Sequence, residues 1–249
     1  MLGATARQLP AGSLKLLTYY QATEDQTLNF SVQGGGNCST PAGVPFNCGQ
    51  ASSIDTLGSG RAALTKLVYQ PWESFQYYAT LGVGDYDLKV PSATITNDLT
   101  GDKPGYTFGV GLKYVFYPDT IVTPGLAIDA SFTRSRYDFS RRFPGGSALI
   151  NNNISERLDL YESQIAVLAS HLFTLAQIYK FEPYGGIKWD YAWADLKDLT
   201  DGTHSGGGKK SIRPFIGLRV PVFEHEGFFA EASFVDGTQY ATGLEIRFK

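Results

Sequence analysis

The sequence contains no run of about 18 apolar residues, the length needed to cross a bilayer as a helix, so a transmembrane helix is excluded. The chain also has no large excess of positive or of negative residues. The net charge is -3 and the pI is near 5.6, which gives no reason to expect nucleic acid as a partner. The first residues lack the apolar segment of a signal peptide, and we expect that such a peptide has been removed from an exported chain.

Cysteine is scarce, and both copies, Cys38 and Cys48, lie in one segment rich in Gly, Pro and Asn. No cluster of His accompanies them, so a zinc site is not expected. In an oxidising compartment the two would pair with each other and staple a loop. Two free thiols in a loop are the alternative.

Aromatic residues and glycine are abundant, at 14% aromatic and 28 Gly, which suits strands and turns better than packed helices. Side chains alternate between the two faces of a strand. The last stretch of the chain places apolar side chains on one face, at Tyr240, Leu244, Ile246 and Phe248. Its other face carries Glu245, Arg247 and Lys249. The same alternation recurs along most of the chain and predicts an all-β, transmembrane antiparallel up-and-down β-barrel.

About ten strands are predicted, near 13–22, 59–70, 74–89, 105–117, 123–138, 158–172, 179–196, 211–223, 227–235 and 239–248. Short turns alternate with long loops, as in outer-membrane barrels, where short turns face the periplasm and long loops face outside. The longest loop is expected at 23–58 and contains both cysteines. An even strand number places both termini on the short-turn side, so residues 1–12 are expected to form a periplasmic N-terminal segment. The whole chain, 1–249, is expected to be a single domain. Eight or twelve strands are the alternatives.

Charged residues fall mainly on the less apolar face of the strands, which would line the lumen of such a barrel. The predicted lumen charges are of both signs: Lys15, Lys66, Lys113, Asp129, Glu162, Glu182, Lys188, Asp190, Arg213, Arg219, Glu231, Glu245 and Arg247. A ten-strand barrel is much narrower than porins of 16–18 strands. These charges are therefore expected to pair across the lumen and plug it, because unpaired buried charges are costly. No single sign dominates, so strong ion selectivity is not predicted.

A soluble barrel with the apolar face inside is the competing interpretation. Each Lys or Arg facing lipid would cost about 2–4 kcal/mol, so the consistent placement of charges opposite the apolar face favours a membrane barrel. Aromatic residues near strand ends suit girdles at the two membrane surfaces. They are Tyr19, Tyr20, Tyr69, Trp72, Tyr77, Tyr117, Trp193 and Tyr240.

These features together resemble the bacterial outer-membrane β-barrel superfamily. In that group the last strand usually ends in an aromatic residue, with apolar residues at alternate positions before it, and the barrel-assembly machinery reads this strand. Four residues match the pattern, Tyr240, Leu244, Ile246 and Phe248, although Lys249 follows the aromatic residue. The resemblance implies a Gram-negative outer membrane, with the lipid bilayer and lipopolysaccharide as surroundings.

Small barrels of this superfamily include membrane anchors, adhesins, narrow channels and a few enzymes. A structural or interaction role is expected here, with a protein partner bound at the extracellular loops or in the lumen. A narrow, porin-like channel for small solutes or ions is the alternative.

An outer-membrane hydrolase with a rim active site is a third hypothesis, because carboxylates beside a His can activate water. The candidates near the predicted rim are Asp85, Asp87, Asp195, Asp198 and His204. However, Asp is common where strands turn into loops, and His204 lies in a Gly-rich segment. No Gly-rich phosphate loop is present either. We therefore expect no enzymatic activity, no cofactor and no metal.

Overall fold

The computed structural model describes residues 5–6, 9–32, 52–91, 96–145, 152–175, 179–200 and 202–248. These residues form twelve strands: β1 (Ser13–Val32), β2 (Ser52–Trp72), β3 (Phe75–Pro91), β4 (Thr96–Thr100), β5 (Gly105–Tyr117), β6 (Gly125–Pro144), β7 (Asn152–Ser170), β8 (Phe173–Leu175), β9 (Tyr179–Asp198), β10 (His204–Pro221), β11 (Glu226–Ser233) and β12 (Thr238–Phe248). Within the described ranges, no helix is long and apolar enough to span a membrane.

Antiparallel pairing closes the strands into a ring. The last strand, β12, pairs with β1 from Leu14 opposite Phe248 to Glu24 opposite Thr238. Two pairs of elements each occupy a single place in the ring. β4 and β5 both lie between β3 and β6, one after the other along them. β7 and β8 both pair with β9 in the same way. The twelve elements therefore occupy ten positions, and the predicted up-and-down β-barrel of about ten strands is confirmed.

Several strands are longer than the sequence pattern predicts. β1 continues to Val32 and β2 begins at Ser52, so both ends of the predicted loop 23–58 are strand. A β-bulge between Thr23 and Gln26 is the physical reason, because an extra residue exchanges the inward and outward positions and breaks the alternation. The predicted pairing of Cys38 with Cys48 lies outside the described residues.

Both faces of the barrel change character along the strands. The outward side chains of β9 are first aromatic or aliphatic and then charged: Ile187, Trp189, Tyr191, Trp193, Asp195 and Lys197. The inward side chains change in the opposite sense: Glu182, Lys188, Asp190, Ala192, Ala194 and Leu196. The same reversal occurs on β3, where outward Leu81 and Val83 are followed by Asp85 and Asp87. The barrel therefore has two parts, each with one apolar face.

We call the first part, with its apolar outer face, the transmembrane part. The second part, the collar, has a polar outer face and an apolar interior: Leu28, Phe30, Tyr86, Leu88, Val90, Leu99, Tyr137, Phe139, Leu158, Leu160, Ala192, Ala194 and Leu196. On β10 and the residue that follows it, the outward apolar positions run from Ile212 to Val222. That distance is about 33 Å along the strand. With the usual strand tilt it is about 25 Å along the barrel axis, which equals the height of the lipid-facing band of an outer-membrane barrel.

Aromatic side chains mark both ends of this band. At the collar end, the rings of Tyr161 and Trp193 stack at 5.4 Å, and at the short-turn end Phe75 lies 4.8 Å from Tyr114. Tyr19 is the exception among the predicted girdle residues. It is buried in the lumen against Phe229, because it lies on the inward face of β1.

The number of strands in the wall differs between the two parts. The β11–β12 hairpin ends at a turn of residues 234–237, while β1 and β10 continue beyond it. Above the turn, β1 pairs directly with β10, with Phe30 opposite Gly207 and Ser31 opposite Gly206. The transmembrane part therefore has ten strands around it, and the collar has eight.

Inward glycines make room for large inward rings on neighbouring strands. A Cβ at Gly217 would lie 2.2 Å from Cζ of Tyr184, and one at Gly111 would lie 2.3 Å from Cζ of Tyr78. The hydroxyl of Tyr184 donates a hydrogen bond to Glu231, at 3.1 Å, which keeps its ring across Gly217. These glycines are therefore part of the packing of the lumen.

Gly217→Val should lower the free energy of unfolding by about 1–3 kcal/mol, because the added side chain would overpack the lumen and displace Tyr184. Urea unfolding in phospholipid vesicles, followed by tryptophan fluorescence, measures the change. Gly206→Ala is the matched control, since a Cβ there meets nothing within 4 Å. Equal losses in the two variants would contradict the packing role of Gly217.

Candidate functional site: the barrel lumen

The short-turn mouth of the barrel contains part of the N-terminal segment. Thr5, Ala6 and Leu9 are buried there. The backbone N–H of Ala6 donates to Oγ of Ser170 at 2.9 Å, and that of Leu9 donates to Oε1 of Gln70 at 2.8 Å. The segment expected at 1–12 in the periplasm is thus partly inside the barrel, where lumen side chains satisfy its backbone.

Above this segment, Arg219 lies between two carboxylates. Its Nη1 is 3.0 Å from Oε2 of Glu182, and it also contacts Glu245. Lys15 donates from Nζ to the other oxygen of Glu245, at 3.2 Å, and Arg247 lies 3.6 Å from the same carboxylate. Charged hydrogen bonds of this kind are among the strongest in proteins. This cluster joins β1, β9, β10 and β12 across the lumen.

A second ionic cluster lies nearer the collar. Arg213 donates from Nε to Oδ2 of Asp190 at 2.6 Å, and Gln164 donates to the other oxygen of that carboxylate. Lys188 donates from Nζ to Oε1 of Gln239 at 3.0 Å. The charged ends of Arg213, Asp190 and Lys188 therefore each meet a partner from another strand.

Four further predicted lumen charges, Lys66, Lys113, Asp129 and Glu162, contact uncharged groups. The hydroxyl of Tyr78 donates to Asp129 at 2.5 Å, and Nζ of Lys66 lies 3.7 Å from the centre of the Tyr78 ring. Lys113 donates to the backbone carbonyl of Thr5, while Glu162 accepts from Gln26.

All thirteen predicted residues are on the inward face, and all but Glu162 and Arg247 are fully buried. The sequence interpretation missed most of the residues that complete these clusters, namely Gln26, Gln70, Tyr78, Ser170 and Tyr184, although it did place Gln164 inside. Their inward position follows from alternation, but their partners depend on strand register.

A polar cavity of about 110 Å³ lies between the second ionic cluster and the collar interior. Its wall is rich in hydroxyl and amide side chains, including Gln21, Gln26, Thr107, Thr133, Ser135 and Gln239. The charged side chains that face the cavity are Glu162, Asp190 and Arg213, and each of them already has a partner. Arg61 also contributes to the wall, but its side chain is exposed on the outer face of β2, opposite Asp85.

The candidate rim residues do not converge on one site. Asp195 and His204 are neighbours at 3.5 Å, and both are exposed. Asp85 and Asp87 lie on the outward face of β3, which is separated from β10 by β1 and β2. Burial, with the charges of Asp85 and Asp98, raises the pKa of Asp87. Asp198 accepts the backbone N–H of Thr200. Across the described ranges, no group of three or more His, Cys, Asp or Glu is placed to hold a metal ion.

No protein-family model matches the sequence, and no curated protein matches it. Solved structures do match it. The outer membrane protease OmpT from Escherichia coli aligns with a TM-score of 0.53 at 10% identity, covering 98% of this chain and 100% of that chain. The translocator domain of the autotransporter NalP from Neisseria meningitidis aligns with a TM-score of 0.50 at 11% identity, covering 97% and 89%. The predicted fold, that of a small bacterial outer-membrane β-barrel, is confirmed.

Glu245→Gln should lower the free energy of unfolding by about 3–5 kcal/mol, because it leaves Lys15 and part of Arg219 buried without a compensating charge. The shift of the urea midpoint in vesicles, at unchanged slope, measures the loss. Asp102→Asn is the matched control, since Asp102 contacts Arg141 at 2.8 Å on the exposed surface, where a pair contributes at most about 1 kcal/mol. If Glu245→Gln lowers the free energy of unfolding no more than the control does, the lumen ion pairs do not stabilise the barrel as proposed.

Proposed function

We propose that this chain is a bacterial outer-membrane barrel with a structural or partner-binding role, exerted through its extracellular collar and loops rather than through a pore. The single observation that carries the proposal is that the lumen is closed at three levels. These levels are the N-terminal segment, the ionic clusters and the apolar interior of the collar.

The three closures differ in their chemistry, which makes a continuous path difficult for any one solute. A hydrated ion would have to replace the contacts of Arg219 with Glu182 and Glu245, which are buried and directly paired. It would then meet the collar interior, where Leu28, Leu88 and Leu158 are fully buried. Apolar surroundings offer nothing to replace the water of an ion, so this layer opposes ion passage for a different reason.

The outer surface supports a place in the outer membrane. At the collar end of the apolar band, the guanidinium of Arg134 lies 5.4 Å from the ring of Tyr161, and that of Arg136 lies 5.9 Å from the ring of Tyr106. Cations beside aromatic rings at this level suit contact with lipid headgroups, including those of lipopolysaccharide. The outward side chains of β12, Tyr240, Leu244, Ile246 and Phe248, suit recognition by the barrel-assembly machinery.

The collar suits the presentation of loops to a partner. On β6 it extends from Arg134 to Pro144, about 33 Å along the strand. Because the collar has its own apolar core, it does not need lipid to hold its shape. Loops that begin at its rim would therefore be held away from the membrane surface, where a protein partner can reach them.

The alternatives have weaker support. A narrow channel would need at least three rearrangements, one for each closure. A rim hydrolase would need its carboxylates and His204 on one surface. Asp85 and Asp87 lie on β3, whereas Asp195 and His204 lie on β9 and β10, on the other side of β1 and β2. We therefore propose a non-enzymatic role.

The full chain, refolded and inserted in planar bilayers, should give no discrete conductance steps, because each closure blocks ions independently. A second chain lacking residues 1–11 should also be silent, since the ionic clusters and the collar interior remain. Insertion is verified beforehand by protection of the transmembrane part from protease in vesicles.

Steps from the full chain that change with Arg219→Glu would contradict the proposal and favour the channel. A silent chain that cleaves a mixed peptide library, and loses this activity with His204→Ala, would favour the hydrolase. A partner-binding role predicts a protein that remains bound during purification from native membranes in mild detergent and is lost when residues 33–51 are deleted.

A further inference from the structure

The barrel wall has an unusual junction at the tip of the β11–β12 hairpin. Below the tip, β10 pairs with β11 and β12 pairs with β1. Above it, two residue pairs among the described residues join β1 to β10. Between these ladders, Asp25–Asn29 of β1 and Gly208–Pro214 of β10 face the hairpin turn instead of a strand. A turn, with few backbone hydrogen bonds to its sides, fills this part of the wall.

The turn has a strained backbone. Three consecutive residues have positive φ: Val235 at 76°, Asp236 at 61° and Gly237 at 87°. A β-branched residue such as Val rarely adopts this region, and such outliers persist only where the surroundings enforce them. Gly237 meets the β1 backbone closely, since a Cβ there would lie 2.4 Å from the carbonyl oxygen of Glu24.

Few contacts hold the turn against β10. Asp236 forms an ion pair with Lys209, and the backbone N–H of Phe234 donates to the carbonyl of Pro214 at 3.2 Å. Proline has no N–H, so Pro214 cannot return a second hydrogen bond. Phe234 and Val235 are exposed at the collar end of the apolar band. The Lys209–Asp236 ion pair is therefore the main polar contact that holds the turn against β10.

The polar cavity lies close to this turn, between residues that flank it. Gln239, which follows the turn on β12, forms part of its wall, as do Gln26 of β1 and Arg213 of β10. The ionic clusters lie on one side of the cavity and the apolar collar interior on the other. Between Gln26 and Arg213 the wall beside the cavity is thus a turn and not a hydrogen-bonded strand.

The cavity wall defines what could occupy it. Hydroxyl and amide groups dominate. The inward charged side chains are already paired and Arg61 faces outward, so an ionic ligand has no free counter-charge inside the cavity. The hydroxyl of Tyr86 is buried without a hydrogen-bond partner among the described residues, and its ring lies in the wall. A cavity of about 150 Å³ holds benzene, so about 110 Å³ fits a smaller molecule, such as a three-carbon polyol or a few waters.

We propose that the cavity is a binding site for a small uncharged polyol, entered sideways past the β11–β12 turn from the outer boundary of the membrane. Outward movement of the turn breaks the Lys209–Asp236 pair and opens a blind site, not a path through the barrel. The inference goes beyond the proposed surface role and stands or falls separately, because it requires no conductance and no partner at the collar.

The entrance is tested with a thiol reporter in the cavity. In the full chain carrying Cys38→Ser and Cys48→Ser, Ser135→Cys places a thiol in the wall. The probe is methyl methanethiosulfonate, which is neutral and has only six non-hydrogen atoms. Adding Asp236→Asn should raise the labelling rate by about fivefold or more, because a partly buried ion pair no longer holds the turn closed.

Two controls locate the route. Asp102→Asn, which breaks an exposed ion pair on the collar surface, should leave the rate unchanged. Ala166→Cys, a fully buried inward position in the transmembrane part, should stay unlabelled in every background. No acceleration by Asp236→Asn would overturn the entrance. Equal or greater acceleration by Leu88→Ala, which loosens the collar interior, would overturn it too, because the probe would then enter through the collar.

The ligand class is tested by competition. Glycerol should slow labelling of Ser135→Cys in the Asp236→Asn background, whereas sucrose at equal osmolality, too large for the cavity, should not. Slowing by both would indicate a solution effect and overturn the polyol site. Unchanged rates with glycerol would mean that the cavity holds water only, which overturns the polyol site as well.

Discussion

The structure depends on one electrostatic constraint: a narrow tube with an apolar outer face must keep its charges inside, and each of them needs a partner there. Ion pairs such as Arg213 with Asp190 satisfy this demand directly. Elsewhere a tyrosine hydroxyl, an aromatic ring or a backbone carbonyl replaces a carboxylate, as for Lys66 and Lys113. The lumen is filled as a consequence, and the N-terminal segment enters the mouth because polar side chains there satisfy its backbone.

In the collar the same constraint gives the opposite pattern, because the outer face meets water and not lipid. Where water replaces lipid outside, the strands place polar side chains outward and apolar ones inward, as in a soluble barrel. Each long strand therefore carries two opposite patterns in sequence. This arrangement adds an apolar layer that closes the lumen above the two ionic clusters. It also leaves the short β11–β12 hairpin at the level where one pattern changes into the other.

Much of this architecture was predictable from local pattern. Alternation identified the inward charges, and turn chemistry identified ten strand positions. The bulge at residues 23–26 was not predictable, because it reverses the alternation on which strand assignment relies. Parts of the collar were predicted as loop for a related reason: polar residues such as Ser205 and Gly206 look like loop until their pairing with β9 is seen. Tyr19 was placed in the girdle by residue type, although its parity with Leu17 puts it inside.

By itself, the sequence determined that this chain forms a β-barrel with an apolar band around it and charges within, because side-chain alternation is a property of each strand. Only the tertiary structure decided which charges meet, which glycines receive tyrosine rings, and where the wall changes from ten strands to eight. Those outcomes depend on the register between strands far apart in the chain. Register is set by closure of the whole ring, which no single strand encodes.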